Sequence, residues 1–92
     1  MITTKRYTRC RSFSRLGGLQ QAHQIRYSLA FDPQGAATYE ICTIRGDGTW
    51  AQRRTVRGLC ERKARWILEY LYENAVPPEN GWDILEDLLQ RV

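Results

Sequence analysis

TVRGLCERKARWILEYL, residues 55–71, holds a change of period. Before Gly58 apolar side chains recur at every second residue, the mark of a strand with one buried side. After it they recur at three and four. From Leu59 to about Asn74, Cys60, Ala64, Ile67 and Leu71 fall on one helical stripe, with Leu68 beside it. A chain that is sheet up to Gly58 and helix beyond it belongs to the α+β class.

Upstream, Ile25, Tyr27, Leu29 and Phe31 alternate with Arg26, Ser28 and Ala30, a half-buried strand beginning at His23. DPQG at 32–35 is turn chemistry, with Pro33 presetting φ and Gly35 free to take φ > 0. AATYEICTI follows as a second strand. RGDG at 45–48 supplies an Asp-Gly hairpin signal, and TWAQRRTV reads as a third strand.

Burying one face sets the register. Tyr27 falls opposite Ile41 and Leu29 opposite Tyr39, because a slip of one residue would set Glu40 against Tyr27 on the buried face. A two-residue loop at Asp47-Gly48 then places Tyr39 opposite Val56 and Arg45 opposite Trp50. The expected core face is Ile25, Tyr27, Leu29, Phe31, Tyr39, Ile41, Trp50 and Val56. Gln52 and Arg54 share it and reach out to water from an edge strand.

Downstream, Pro77 and Pro78 in NAVPPEN end the first helix. Pro78 suits a first helical position, or Asn80 caps with Asp83 three residues on. The second helix carries Trp82, Leu85, Leu88, Leu89 and Val92 on one side, and Asp83, Glu86, Asp87 and Gln90 on the other. The expected fold is a three-stranded antiparallel β-meander followed by two α-helices packed on one face, βββαα, in a single domain over residues 23–92. Residues 1–22 form a basic N-terminal arm or an extra strand.

The stretch from TYEICTIRGDGTW to ENGWDILEDLL resembles a family of small uncharacterised proteins, a domain of unknown function, from clostridia and related Gram-positive bacteria. The resemblance spans about residues 23–90. It lies in a strand ending in a charged turn, a helix, a proline-marked break and a closing helix with acids at Asp83, Glu86 and Asp87. It implies the same bacterial α+β fold and brings no activity and no functional residues with it.

At 92 residues, two separate cores would each be too small to hold together. The 42% hydrophobic and 26% charged residues are those of an ordinary globular chain. No apolar run is long enough for a membrane helix, and the N-terminal cations precede no signal-peptide core, so a cytoplasmic protein without membrane contact is expected. Cys10, Cys42 and Cys60 are an odd, widely spaced set, neither a disulfide framework nor, with His23, a zinc site of ordinary spacing. No metal or cofactor is expected.

Charge runs downhill along the chain. Residues 1–26 carry six cations and no anion, and residues 59–92 carry four cations against seven anions. The basic front can therefore meet a polyanion, or the protein's own acidic end. KRYTRCRSFSR, residues 5–15, brings Lys5, Arg6, Arg9, Arg11 and Arg15 together with Tyr7 and Phe13, and Arg53 is a further candidate phosphate contact. The alternation Arg9, Arg11, Phe13, Arg15 equally suits a fourth strand with a solvated face. Five phosphate contacts would give log K a slope of about −4.5 against log salt, which is weak and non-specific without base contacts. The expectation is that this segment lies along the domain or is mobile.

Three further features invite chemistry. Cys42 falls on the outer sheet face between Arg26 and Arg53, a setting that favours a thiolate if the thiol is accessible. Glu69, Glu73, Asp83, Glu86 and Asp87 cluster on helix surfaces without apolar cover, as a solvated face does. Trp66 and Tyr70, with Glu73 beyond them, turn away from the Ile67–Leu71 stripe and form an aromatic pair suited to a protein interface. Arg45-Gly46-Asp47 is a hairpin turn. With no catalytic constellation legible, the expected function is a non-catalytic protein-binding or regulatory module whose partner can be a second copy of itself. Nucleic-acid binding through the basic segment is the alternative.

Overall fold

A computed structural model of the protein describes residues 4–13, 22–46 and 48–90. Four strands are followed by two helices: β1 (Lys5–Phe13), β2 (His23–Phe31), β3 (Ala36–Arg45), β4 (Gly48–Arg57), α1 (Glu61–Glu73) and α2 (Pro78–Gln90). The strands form one antiparallel sheet in the order β1-β2-β3-β4. The meander is thus one strand longer than the three read from periodicity. Residues 5–13 take the strand alternative, and Lys5 through Phe13 pair with Phe31 through His23.

The β2–β3 register is the one that burial demands, with Tyr27 opposite Ile41 and Leu29 opposite Tyr39. The turn between them closes as its residues require. Gly35 donates its N–H to the Asp32 carbonyl, Gln34 donates to Asp32 Oδ1, and Gly35 takes φ 98°.

The β3–β4 register differs from expectation by two residues. Arg45 pairs with Gly48, Tyr39 with Arg54 and Ala37 with Val56, so the connection is Gly46 and residue 47 rather than Asp47-Gly48. Asp47 itself lies outside the described residues, as do Arg15 and Val92. A shift of two leaves every side chain on its expected face, because the side-chain period is two.

Both helices lie against the face that carries the odd-numbered residues of β2 and β3. Ile25, Tyr27, Leu29, Phe31, Ala37, Tyr39 and Ile41 pack there with Ala64, Ile67, Leu68 and Leu71 of α1 and with Leu85 and Leu88 of α2. Trp50 is not a core residue: it is 49% exposed at the hairpin end of β4. Ala37 is buried instead, and Val56 is half-buried at the rim.

Cys60 also leaves the buried stripe. It is the exposed N-cap of α1, with Sγ accepting from the Lys63 N–H. Pro78 opens α2 as its first residue, where a missing N–H costs nothing.

Two backbone positions hold the helices. At the end of α1, Val76 N–H donates to the Leu71 carbonyl and Ala75 N–H to the Tyr72 carbonyl, a Schellman closure with Ala75 at φ 50°. A left-handed alanine is strained. Ala75→Gly is therefore expected to stabilise the protein by about 0.5–1 kcal/mol, read as a raised urea midpoint.

Gly81 of α2 is buried against Ile41, and a Cβ there would collide with the Ile41 Cδ1 methyl. Gly81→Ala is expected to destabilise by about 1 kcal/mol, overpacking outweighing the gain in helix propensity. Removing that methyl with Ile41→Val should recover the loss in the double variant, although Ile41→Val alone costs about 0.5–1.5 kcal/mol. Additive losses would show that the two side chains do not meet.

Candidate functional site

The odd-numbered residues of β1 face α1, and that parity turns half of the basic segment inward. Lys5 Nζ donates to Glu61 Oε1 at 3.1 Å, and the Tyr7 hydroxyl donates to Glu61 Oε2 at 2.6 Å. Arg9 donates to Glu69 at 2.6 Å while its guanidinium lies 4.2 Å from the centre of the Tyr72 ring. Arg11 approaches the same ring at 5.1 Å, and Arg65 of α1 lies over Tyr7. The basic front of the chain thus meets its own acidic end across the β1–α1 seam. Of the five cations suggested for nucleic acid in this segment, Lys5 and Arg9 are ion-paired, Arg11 is stacked and Arg6 faces the other side of the sheet. Arg15 is not among the described residues.

The other side of the sheet carries the even-numbered residues of β1, β2 and β3 and the odd-numbered residues of β4. Arg6 and Arg26 lie there with Arg53 and Arg57 of β4, against Glu40. Arg53 stands opposite Glu40 and bonds it at 2.9 Å. That removes one of the two guanidiniums expected beside Cys42, which has Arg26 on one side and Ala51 on the other. Cys42 is only 3% exposed, because central strands shield it even on the uncovered face. Reactivity needs access that this thiol lacks.

The aromatic flank of α1 lies where helical spacing puts it. Trp66 is 45% exposed, and its ring centre is 5.9 Å from that of the half-buried Tyr70 at a tilt of 47°. The Lys63 ammonium sits 4.7 Å above Trp66, and Glu73 is exposed one turn beyond Glu69. On α2, Asp83, Glu86 and Asp87 are exposed, and Glu86 bonds Arg54 at 2.8 Å.

A second feature escaped the sequence. An open groove of about 400 Å³ lies between the hairpin end of β2, β3 and β4 and the start of α2. Its lining includes Trp50 and Gln52 of β4, Arg45 and Thr43 of β3, and Pro77 and Pro78. The Arg45 guanidinium stands 5.3 Å from the Trp50 ring centre, and nearby His23 stacks on Phe13 at 4.6 Å. Only the odd parity shared by His23, Ile25, Thr43 and Arg45 hints at this clustering in the sequence. The proline pair reads there as a helix break and not as a wall.

Among the described residues, no three His, Cys, Asp or Glu side chains come together as metal ligands would, and no helix is long and apolar enough to cross a membrane. No family model, curated protein or solved structure matches the chain.

The Tyr7–Glu61 bond makes a pH signature. It is the main cause holding the Glu61 carboxyl below its ordinary 4.5, with Lys5 helping, and it raises the Tyr7 phenol above 10.0. A lowered carboxylate pKa gives stability that is present above the ordinary value and lost as pH falls through the lowered one. Tyr7→Phe should therefore bring the Glu61 titration, followed by carboxyl-carbon NMR, back up towards 4.5. Its stability deficit should be present at neutral pH and fade below pH 4.5. An unmoved Glu61 titration would show that the bond does not form in solution.

Proposed function

We propose that the protein is a non-catalytic protein-binding module whose contact surface is the Trp66/Tyr70 flank of α1, and that a second copy of the chain is its nearest partner. Trp66 carries the reading. A tryptophan left almost half in water, paired with a tyrosine and edged by Lys63 and Glu73, has the composition of an interface centre with a polar rim. A small domain with a thin stability margin also gains from covering such a surface. The lysine and glutamate are oppositely charged, so two flanks meeting about a two-fold axis can set each lysine near the other copy's glutamate.

The nucleic-acid alternative is weaker, because Lys5 and Arg9 already answer Glu61 and Glu69. Exposed pairs of this kind are each worth under about 1 kcal/mol, so phosphates would compete for them but gain little by it. The resemblance to the clostridial family transfers no role.

Sedimentation velocity across a range of protein concentrations tests the reading. A concentration-dependent dimer is expected for the native chain, and a monomer with unchanged circular dichroism for Trp66→Ala/Tyr70→Ala. A native chain that stays monomeric at high concentration removes self-association. Binding of an oligonucleotide at physiological salt that Arg6→Ala/Arg9→Ala abolishes would promote the alternative.

A further inference from the structure

We infer that the outer edge of β4 is a docking edge for an extended acidic peptide, which adds as a fifth strand and places a side chain in the Trp50 groove.

The edge is regular. All ten residues of β4 pair in unbroken succession with β3, without a bulge, and β4 ends the sheet. Edge strands ordinarily carry some guard against such pairing, a bulge, a proline, a short length or charge, and β4 has only the last. That charge is of one sign: Arg53, Arg54 and Arg57, and no acid between Gly48 and Arg57. Strand addition takes affinity from main-chain hydrogen bonds and specificity from pockets that receive alternate side chains. The groove beside Trp50 is such a pocket, on the helix-facing side, with Gln52 and Arg54 exposed in the same row.

Charge selects the occupant. A second copy pairing through β4 would set three arginines against three, so the edge rejects itself. An acidic strand reverses that sign. The ion pairs Arg53–Glu40 and Arg54–Glu86 are exposed at 2.9 and 2.8 Å and yield readily to a ligand's carboxylates. The opposite edge fits less well. β1 is more basic, with Lys5, Arg6, Arg9 and Arg11, but its helix-side row is closed. Tyr7 is half-buried and bonded to Glu61, and Arg11 is half-buried over Tyr72, whereas Trp50, Gln52 and Arg54 of β4 stand exposed. A nucleic acid would use the arginines but cannot pair with a strand's backbone.

The test uses the full chain and a fluorescein-labelled peptide of β4's length that alternates glutamate with valine. Anisotropy is expected to show saturable binding at low salt, with slowed amide exchange along residues 48–57 and a blue shift of tryptophan emission that Trp50→Phe removes. N-methylation of alternate peptide residues leaves charge intact and removes main-chain donors, and should weaken binding about tenfold or more. Arg57→Glu should weaken it about threefold.

Equal binding by the N-methylated peptide, or no binding by the parent, overturns the inference. So does a single-stranded oligonucleotide that binds more tightly and displaces the peptide. Concentration-dependent protection of residues 48–57 without peptide would give the edge to a second copy. Trp66→Ala/Tyr70→Ala should bind the peptide normally, and loss of binding there would move the site to α1.

Discussion

Two phenols hold the layers in place. Tyr27 and Tyr39 are fully buried on neighbouring strands, and each hydroxyl donates at 2.9 Å to a backbone carbonyl of the helical layer, Val76 and Ala64 respectively. A buried hydroxyl without a partner would cost a few kcal/mol, so each ring can stay in the core only while its carbonyl stands at that point. Burial pushes both phenols up, Tyr27 to about 12. The carbonyl of Ala64 fixes the first turns of α1 over β3, and that of Val76 fixes the link between the helices over β2. The placement of α2, and with it the contact of Gly81 on Ile41, follows from these two bonds. So does the alignment of α1 beside β1 that lets Glu61 and Glu69 meet Tyr7, Lys5 and Arg9.

What the sequence showed of this was whatever depends on period and parity. β2, β3, β4 and the two helices are legible because apolar residues recur at two before Gly58 and at three and four after it, whereas β1 has no such apolar row and stays open between arm and strand. The β2–β3 register is legible because Glu40 cannot stand on the buried face. The β3–β4 register was missed because Asp-Gly is a strong hairpin signal, and here it sits one residue past the centre of the turn, with Gly48 already paired. Trp50 was expected in the core by parity, which gives the face but not the reach of the helices that cover it. Cys60 was assigned to a stripe that fits its spacing, whereas α1 starts one residue later.

The surfaces divide the same way. Trp66 and Tyr70 could be placed on a helix flank by counting, and the exposure of Trp66 agrees with that placement. The destination of the basic segment was open in the sequence because it depends on which residues of α1 lie over β1, a matter of tertiary placement. Parity places Cys42 on the outer face, but its access depends on how closely the neighbouring strands shield it, which leaves it 3% exposed. The groove at Trp50 joins the ends of three strands to a proline pair far along the chain, and no local pattern announces such a meeting.

Strand order in the sheet repeats strand order in the chain, and this governs how the protein comes off the ribosome. Each new strand pairs with the one before it in the chain, so the sheet needs no distant partner to form. Its apolar face is another matter. Among the described residues, Ile25, Tyr27, Leu29, Tyr39 and Ile41 are covered by the helical layer of residues 61–90, which follows all four strands in the chain. Until then the nascent chain shows a wet apolar sheet with two open edges. A transcript truncated before Leu59 would release that species for good, as a client for chaperones and a seed for aggregation.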